Sequence, residues 1–256
     1  MKRYSILFFA LLLAVVPLAL AQDPTETPAP EHAEWTYEGV HGPEHWGALP
    51  GYELCGTGEA QSPIDINAAQ GLNLTDITFN YEPSALNIFN NGETIRVNYG
   101  AGSSITYNEI EYHLLQFHFH IPSEHTIAGE TFPMELHFVH QSETGALAVV
   151  GVLLSEGETN AAAYAPVFDN LPAEKGEPQS TELMINAADL LPADAAYYTY
   201  TGSLTTPPCS QGVRWLLLKT PVEVSADQLA AFEAIFELSA RPVQPLNDRD
   251  LLEDTN

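Results

Sequence analysis

Gln116-Phe-His-Phe-His120, followed by Glu135-Leu-His137, alternates apolar and polar side chains and reads as two β-strands rather than helix. In a strand, residues i and i+2 share a face, so His118 and His120 project together while Phe117 and Phe119 face the other way. A neighbouring strand carrying His137 completes a three-nitrogen set. Three neutral imidazoles leave one tetrahedral position of Zn²⁺ open to water, the arrangement of a catalytic rather than a structural zinc. A lone histidine is more often a satisfied core or surface residue. Two on one strand face with a third nearby favour a metal site. Gln116 shares strand parity with His118, and Glu135 with His137. Both are therefore candidates to accept the second ring N–H of a metal-bound imidazole. Without such roles, a polar face set among phenylalanines is hard to reconcile with core packing, because unpaired buried polar groups are destabilising.

The two-residue period extends outward from this stretch. Residues 77–81, 86–90, 94–99, 105–107, 110–121, 134–140 and 146–154 are β-branched or aromatic runs punctuated by Asn-Gly, Ala-Gly and Thr-Gly turns. Asn91-Gly92 marks a hairpin. Residues 146–154 are almost wholly apolar, as expected of a strand covered on both faces. One helix is clear, with Ser225 as its cap, Gln228 in the capping-box position, and Leu229, Phe232, Ile235 and Phe236 on one face. A weaker helix is expected over 160–168, and residues 250–256 read as a frayed tail. The pattern describes a mainly β single domain with a few peripheral helices and its histidines on central strands.

The ends of the chain suggest export. Lys2 and Arg3 precede an apolar run over 6–20 that closes with Ala19-Leu-Ala21, the pattern of a signal peptide cleaved near Ala21. The run contains Pro17 and falls short of the roughly twenty residues that a spanning helix needs. The expected organisation is a signal peptide over 1–21, a proline- and acid-rich linker over 22–33, and one domain over 34–256. No later stretch is apolar enough for a membrane span in the mature chain, which is expected to be secreted or periplasmic. In an oxidising compartment an even pair of cysteines usually forms a disulfide, here Cys55 with Cys209. Zinc ligation by the two thiolates is the competing reading, disfavoured by the lack of a C-x-x-C spacing. The 34 acidic residues against 8 basic ones, a formal net charge of −26, argue against nucleic acid as a partner and against anionic membrane surfaces.

Further motifs carry a family resemblance. Gly42-Pro-Glu-His-Trp46, Gln61-Ser-Pro-Ile-Asp65, Pro122-Ser-Glu-His125, Glu135-Leu-His-Phe-Val-His140, Gly202-Ser-Leu-Thr-Thr-Pro-Pro-Cys209 and Arg241-Pro-Val-Gln-Pro-Leu246 join the opening stretch in a fixed order. The set resembles the α-class carbonic anhydrases, most closely their secreted bacterial members, and covers nearly the whole mature chain. The resemblance implies a cleft above a large, twisted, mostly antiparallel sheet, with zinc held at its floor by His118, His120 and His137. It implies attack of zinc-bound hydroxide on carbon dioxide to give bicarbonate. Thr205 would orient the nucleophile while donating to Glu124, and Thr206 would lie beside bicarbonate. Val139, Val149, Leu204, Val213 and Trp215 would form the apolar wall that holds carbon dioxide. Trp35, Tyr37, Asn91 and Glu93 would line the opposite, hydrophilic side, and the Cys55–Cys209 bridge is supported. A homodimer is an admissible assembly.

Two positions depart from the family's fast members. Their Asn-Asn-Gly-His carries a proton-shuttling histidine, whereas this chain reads Asn90-Asn-Gly-Glu93. An ordinary glutamate titrates near 4.3 and a histidine near 6.5, so Glu93 is expected to relay protons poorly at neutral pH. Slower, buffer-dependent turnover follows, with His41 and His125 as substitute relays to consider. Arg96 on the cleft-lining strand is the second departure. The alternative reading is a non-enzymatic, acidic, secreted binding or matrix module. Such relatives usually lose a ligand histidine, and this chain keeps all three.

Overall fold

Side chains that are branched or aromatic at alternate positions suit a pleated surface with one buried face, and they dominate residues 77–154 of this chain. The structure, a computed structural model, describes Met1 and residues 33–256. The signal peptide and nearly all of the linker expected from the sequence lie outside the described residues.

The strands are β1 (Asp65–Ile66), β2 (Gln70–Leu72), β3 (Thr78–Asn80), β4 (Ser84–Asn90), β5 (Ile95–Asn98), β6 (Ser104–Tyr107) and β7 (Ile110–His120). They continue with β8 (Thr126–Ile127), β9 (Glu130–Thr131), β10 (Met134–Ser142), β11 (Leu147–Glu156), β12 (Gln179–Ile185), β13 (Tyr197–Ser203), β14 (Gln211–Val224) and β15 (Leu252–Asp254). Three short α-helices, α1 (Leu54–Thr57), α2 (Ala161–Phe168) and α3 (Ala226–Glu233), lie between them. Twelve strands make one sheet, in the order β12-β4-β5-β7-β10-β11-β14-β13-β15-β2, with β6 beside β7 and β3 beside β6. Its pairings are antiparallel except β11 with β14 and β15 with β2.

One sheet face carries the larger core. Phe117, Phe119, Leu136, Phe138, Val150 and Val152 pack there with Tyr164 and Phe168 of α2 and Phe232 of α3. Ser225 closes the capping box of α3: Gln228 N donates to Ser225 Oγ, and Ser225 N donates to Gln228 Oε1. The other face bears the histidines and a smaller apolar cluster. The register of β7 against β10 sets His118 opposite His137 and His120 opposite Glu135. Period-2 geometry therefore delivers three imidazoles to one patch. The β4–β5 hairpin turns at Gly92, whose φ of 93° suits glycine, and Asn91 Oδ1 accepts from the backbone N–H groups of Glu93 and Thr94.

The tail is ordered, against the expectation of fraying. β15 pairs with β13 on one side and β2 on the other, and Leu251 and Asp254 are buried. Both partner strands are remote in sequence, so no local pattern announces the pairing. Strands β12, β13 and β14 were likewise not evident from alternation. Most of β12 is exposed, and β13 buries threonine, glycine and serine beside Tyr197 and Tyr200, without an apolar–polar alternation.

His140 on β10 is fully buried, stacks on Tyr81, and lies with Nε2 2.8 Å from Tyr81 Oη. Burial pushes its pKa down from 6.5 to about 3. The folded state thus stays neutral here while the unfolded chain gains a proton below about pH 6.5. Stability should fall as pH drops from about 6.5 towards 3, by roughly 2–3 kcal/mol from this residue by pH 4.5. Urea unfolding of wild type and His140→Gln at pH 7.0 and 4.5 checks this. The variant's stability should depend less on pH; equal slopes would remove His140 from the acid response.

Candidate metal centre and cleft

Each histidine of the patch has one ring nitrogen committed. His118 Nδ1 donates to Gln116 Oε1 at 2.9 Å, and His120 Nδ1 donates to the Ser239 carbonyl at 2.5 Å. His137 Nε2 donates to Glu135 Oε1 at 2.8 Å. Those acceptors fix the tautomers. Nε2 of His118, Nε2 of His120 and Nδ1 of His137 are left with free lone pairs, and one ligand atom from each ring lies within 4.8 Å of the others. Burial lowers the pKa of all three, to about 4 for His120, so the rings are neutral. His120 Nε2 is buried with no hydrogen-bond partner, which is hard to account for unless something else binds it. Three neutral, convergent imidazole nitrogens match the donor set zinc prefers.

Glu135 does more than hold His137. Oε1 also accepts from His125 Nδ1 at 2.7 Å, and Oε2 accepts from the backbone N–H groups of Glu124 and His125. Burial alone would raise its pKa, but His125 and His137 outweigh that and hold it well below the ordinary carboxylate value. His125 Nε2 lies 2.7 Å from Tyr200 Oη, which donates to Ser62 Oγ at 2.8 Å. With both ring nitrogens engaged and no exposed surface, His125 is built into the scaffold and is poorly suited to carry protons. His41 is exposed on a 3₁₀ turn (Gly39–His41).

Glu124 sits beside the patch, with Oε2 3.5 Å from His120 Nε2. Its Oε1 accepts from the Arg241 backbone N–H at 2.8 Å. Burial pushes its pKa up to about 7, against lowering by His137, the Arg241 N–H and the Thr205 hydroxyl. The Thr205 contact falls short of a formed hydrogen bond, so Oε2 has no partner. Thr205 is buried, and Thr206 is half-buried next to it.

Val149, Val213 and Trp215 belong to one cluster, with Val139 and Leu204 packed against it. The Trp215 ring lies 4.8 Å from that of His137, so this apolar wall adjoins the histidine patch. On the other side, Tyr37 feels both Glu124 and Glu93, and Asn91 Nδ2 donates to Glu93 Oε2 at 3.3 Å. Trp35 packs edge-on against Tyr37 and Trp46. A separate hollow of about 520 Å³ lies behind Tyr37 and Glu124, and none of the three histidines lines it.

Cys55 and Cys209 form a disulfide. Two residues whose parts the sequence left unassigned complete the site: Ser239, through its carbonyl, and Arg241. The Arg241 guanidinium donates to Gln61 Oε1 and to the carbonyls of Ser62 and Cys55, each at 2.8 Å. Its presence in Arg241-Pro-Val-Gln-Pro-Leu246 was the available signal, but a motif does not say what its arginine holds.

Comparison with known proteins agrees with this geometry. The eukaryotic-type carbonic anhydrase family matches the chain over residues 41–255. A carbonic anhydrase of a Nostoc species is 45% identical over 226 residues, covering 86% of this chain and 85% of its own. The structure of the α-carbonic anhydrase of Thermovibrio ammonificans, in complex with the inhibitor sulfanilamide, is similar with a TM-score of 0.83 and 43% identity, covering 86% of this chain and 99% of that one. Dioscorin complexed with ascorbate is similar at a TM-score of 0.79 and 32% identity, covering 86% and 98%. Among the described residues no helix is long and apolar enough to cross a membrane.

Proposed function

The chain belongs to the eukaryotic-type, or α-class, carbonic anhydrase family, whose enzymes are carbonate dehydratases, and on that premise we propose that it interconverts carbon dioxide and bicarbonate using zinc held by His118, His120 and His137. The observation that carries this reading is the set of three neutral rings whose tautomers leave convergent lone pairs. Zinc bound there supplies the Lewis acidity that makes water a nucleophile at neutral pH.

The chain's own residues do the rest. Thr205 has one hydroxyl proton; giving it to Glu124 leaves its oxygen as an acceptor, which orients the attacking oxygen's lone pair towards substrate. Val139, Val149, Leu204, Val213 and Trp215 hold carbon dioxide, a poorly hydrated molecule without a net dipole, and Thr206 lies beside the bicarbonate formed. Gln116, Glu135 and the Ser239 carbonyl keep the imidazoles aimed.

With Glu93 a poor relay, the proton leaves mainly to external buffer. Burial raises the Glu93 pKa, while Lys175 and Arg96 pull it down, so the carboxyl is shifted towards the neutral range without the natural match of an imidazole. The domain runs over 34–256 after a signal peptide cleaved near Ala21 and a linker over 22–33, in a secreted or periplasmic protein, a compartment in which the Cys55–Cys209 bridge persists.

Stopped-flow carbon dioxide hydration by the zinc-loaded protein, in low and high buffer, tests the reading. Turnover should rise with buffer, and Glu93→His should be about tenfold faster than wild type at low buffer. No hydration despite a full zinc complement would defeat the enzymatic reading in favour of a binding module. An unchanged Glu93→His rate would remove the proton-transfer argument.

A further inference from the structure

We infer that the cleft wall beside His118 carries a subsite for small oxyanions such as bicarbonate or a carboxylate, built on the Arg96 guanidinium, with Lys175 over the adjoining hairpin turn. For its natural ligand this rests on the proposed carbon dioxide chemistry; the binding itself does not.

The sheet fixes where Arg96 stands. Ile95 and Val97 on β5 are buried in the larger core, so Arg96 and Asn98 occupy the opposite face, both half-buried. Arg96 pairs across β5 and β7 with His118, and Asn98 with Gln116. Directly opposed residues on adjacent strands keep their side chains on one face, which here is that of the histidine patch. Arg96 accordingly contributes to lowering the His118 pKa.

The arm is held at its base and free at its tip. Arg96 Nε donates to Asn98 Oδ1 at 3.1 Å, and Asn98 Nδ2 donates to Asn87 Oδ1 at 3.1 Å. The guanidinium carbon lies 5.9 Å over the ring of Phe89, its cross-strand neighbour on β4. No hydrogen bond occupies the two terminal nitrogens of Arg96 among the described residues. A planar cation with its arm fixed and its donor fork open is preorganised to take two oxygens of one anion side by side.

The surrounding charges are compatible with such a guest. Lys175 is exposed, has no ion pair among the described residues, and reaches over the hairpin turn: its Nζ lies 3.0 Å from where a Cβ at Gly92 would stand. Glu93 is the opposing charge and interacts with both cations. Glu174 and Glu177 line a neighbouring hollow with Phe89 and Asn90. In a chain of net charge −26 the overall field repels anions, so a local cationic fork is what lets one settle at the cleft. Three other basic residues are already engaged: Lys219 pairs with Glu253, and Arg241 and Arg249 donate to backbone carbonyls.

Calorimetric titration of the metal-free full chain with sodium acetate, at fixed low ionic strength, isolates this subsite from zinc. Wild type should bind one acetate. Arg96→Gln should weaken it about ten- to a hundredfold, and Arg96→Lys by an intermediate factor, since a point charge replaces the fork. Lys175→Gln should weaken it about twofold to threefold, and added salt should weaken wild type. Equal acetate affinity in wild type and Arg96→Gln, with both folded by circular dichroism, would overturn the inference, as would no binding to metal-free wild type. Failure of the zinc-loaded protein to hydrate carbon dioxide would overturn the functional reading instead, and would leave the acetate result standing.

Discussion

Replacing His120 by alanine is expected to reduce carbon dioxide hydration to the uncatalysed background at stoichiometric zinc. Two imidazoles would remain, on different strands, where zinc needs three protein donors to leave one working position. Structural zinc sites with four protein donors bind with roughly 10–16 kcal/mol in total, so one donor is worth on the order of a hundredfold to a thousandfold in affinity. The loss compounds. His120 is the ring whose free nitrogen faces Glu124 at 3.5 Å, and removing it also deprives the buried Ser239 carbonyl of its donor. Gln116→Ala is the graded comparison, because it leaves all three donors and removes one aiming contact; zinc affinity should fall about 10–100-fold. Metal content after dialysis, measured beside hydration rate and circular dichroism, separates these cases. A folded His120→Ala protein that retained stoichiometric zinc and full activity would rule out the ligand set.

The centre of this site was legible in the sequence because its determinants are local. Alternation in 116–120 and 135–137 fixes which side chains share a face, and two long strands tolerate little slip without moving phenylalanines out of the core. The α3 capping box is local too, and it forms as Ser225 and Gln228 suggest. The parts that were not legible depend on partners remote in sequence. β15 has three residues, two of them acidic, and exists because β13 and β2 offer open edges on either side. Glu135 reads as a partner for one histidine, yet it collects donors from His125, His137 and two backbone amides, since the chain folds back over it at 124–125. Arg241 bridges segments near residues 55, 61 and 124, and no spacing in the sequence encodes that. Arg96 was visible only as a departure from a family pattern; its open fork became apparent once the register with His118 was known.

Removing the disulfide is expected to have the largest effect on stability. The bridge spans 154 residues, from α1 to the segment just after Thr205 and Thr206. Closing a loop of that size restricts the unfolded chain, and the loop-entropy relation gives about 5 kcal/mol. For a domain of this size each kcal/mol moves the midpoint roughly 2–4 °C, so Cys55→Ser/Cys209→Ser should melt about 10–15 °C lower. The folded state should survive, because Cys209 keeps its neighbours: its N–H donates to the Thr206 carbonyl, and its carbonyl accepts from Gln61 Nε2. Arg241 still ties the Cys55 carbonyl to Gln61. Hydration activity should therefore persist at 25 °C and fail earlier on heating, with Thr205 losing its fixed relation to Glu124 as its loop loosens. Wild type treated with dithiothreitol until both thiols are titratable should reproduce the variant's melting curve. A shift under about 2 °C in both samples would mean that the unfolded chain is already compact enough for the tether to add nothing. A shift in the variant alone would point to the serines themselves, buried beside Trp46 and Tyr52, rather than to the loop.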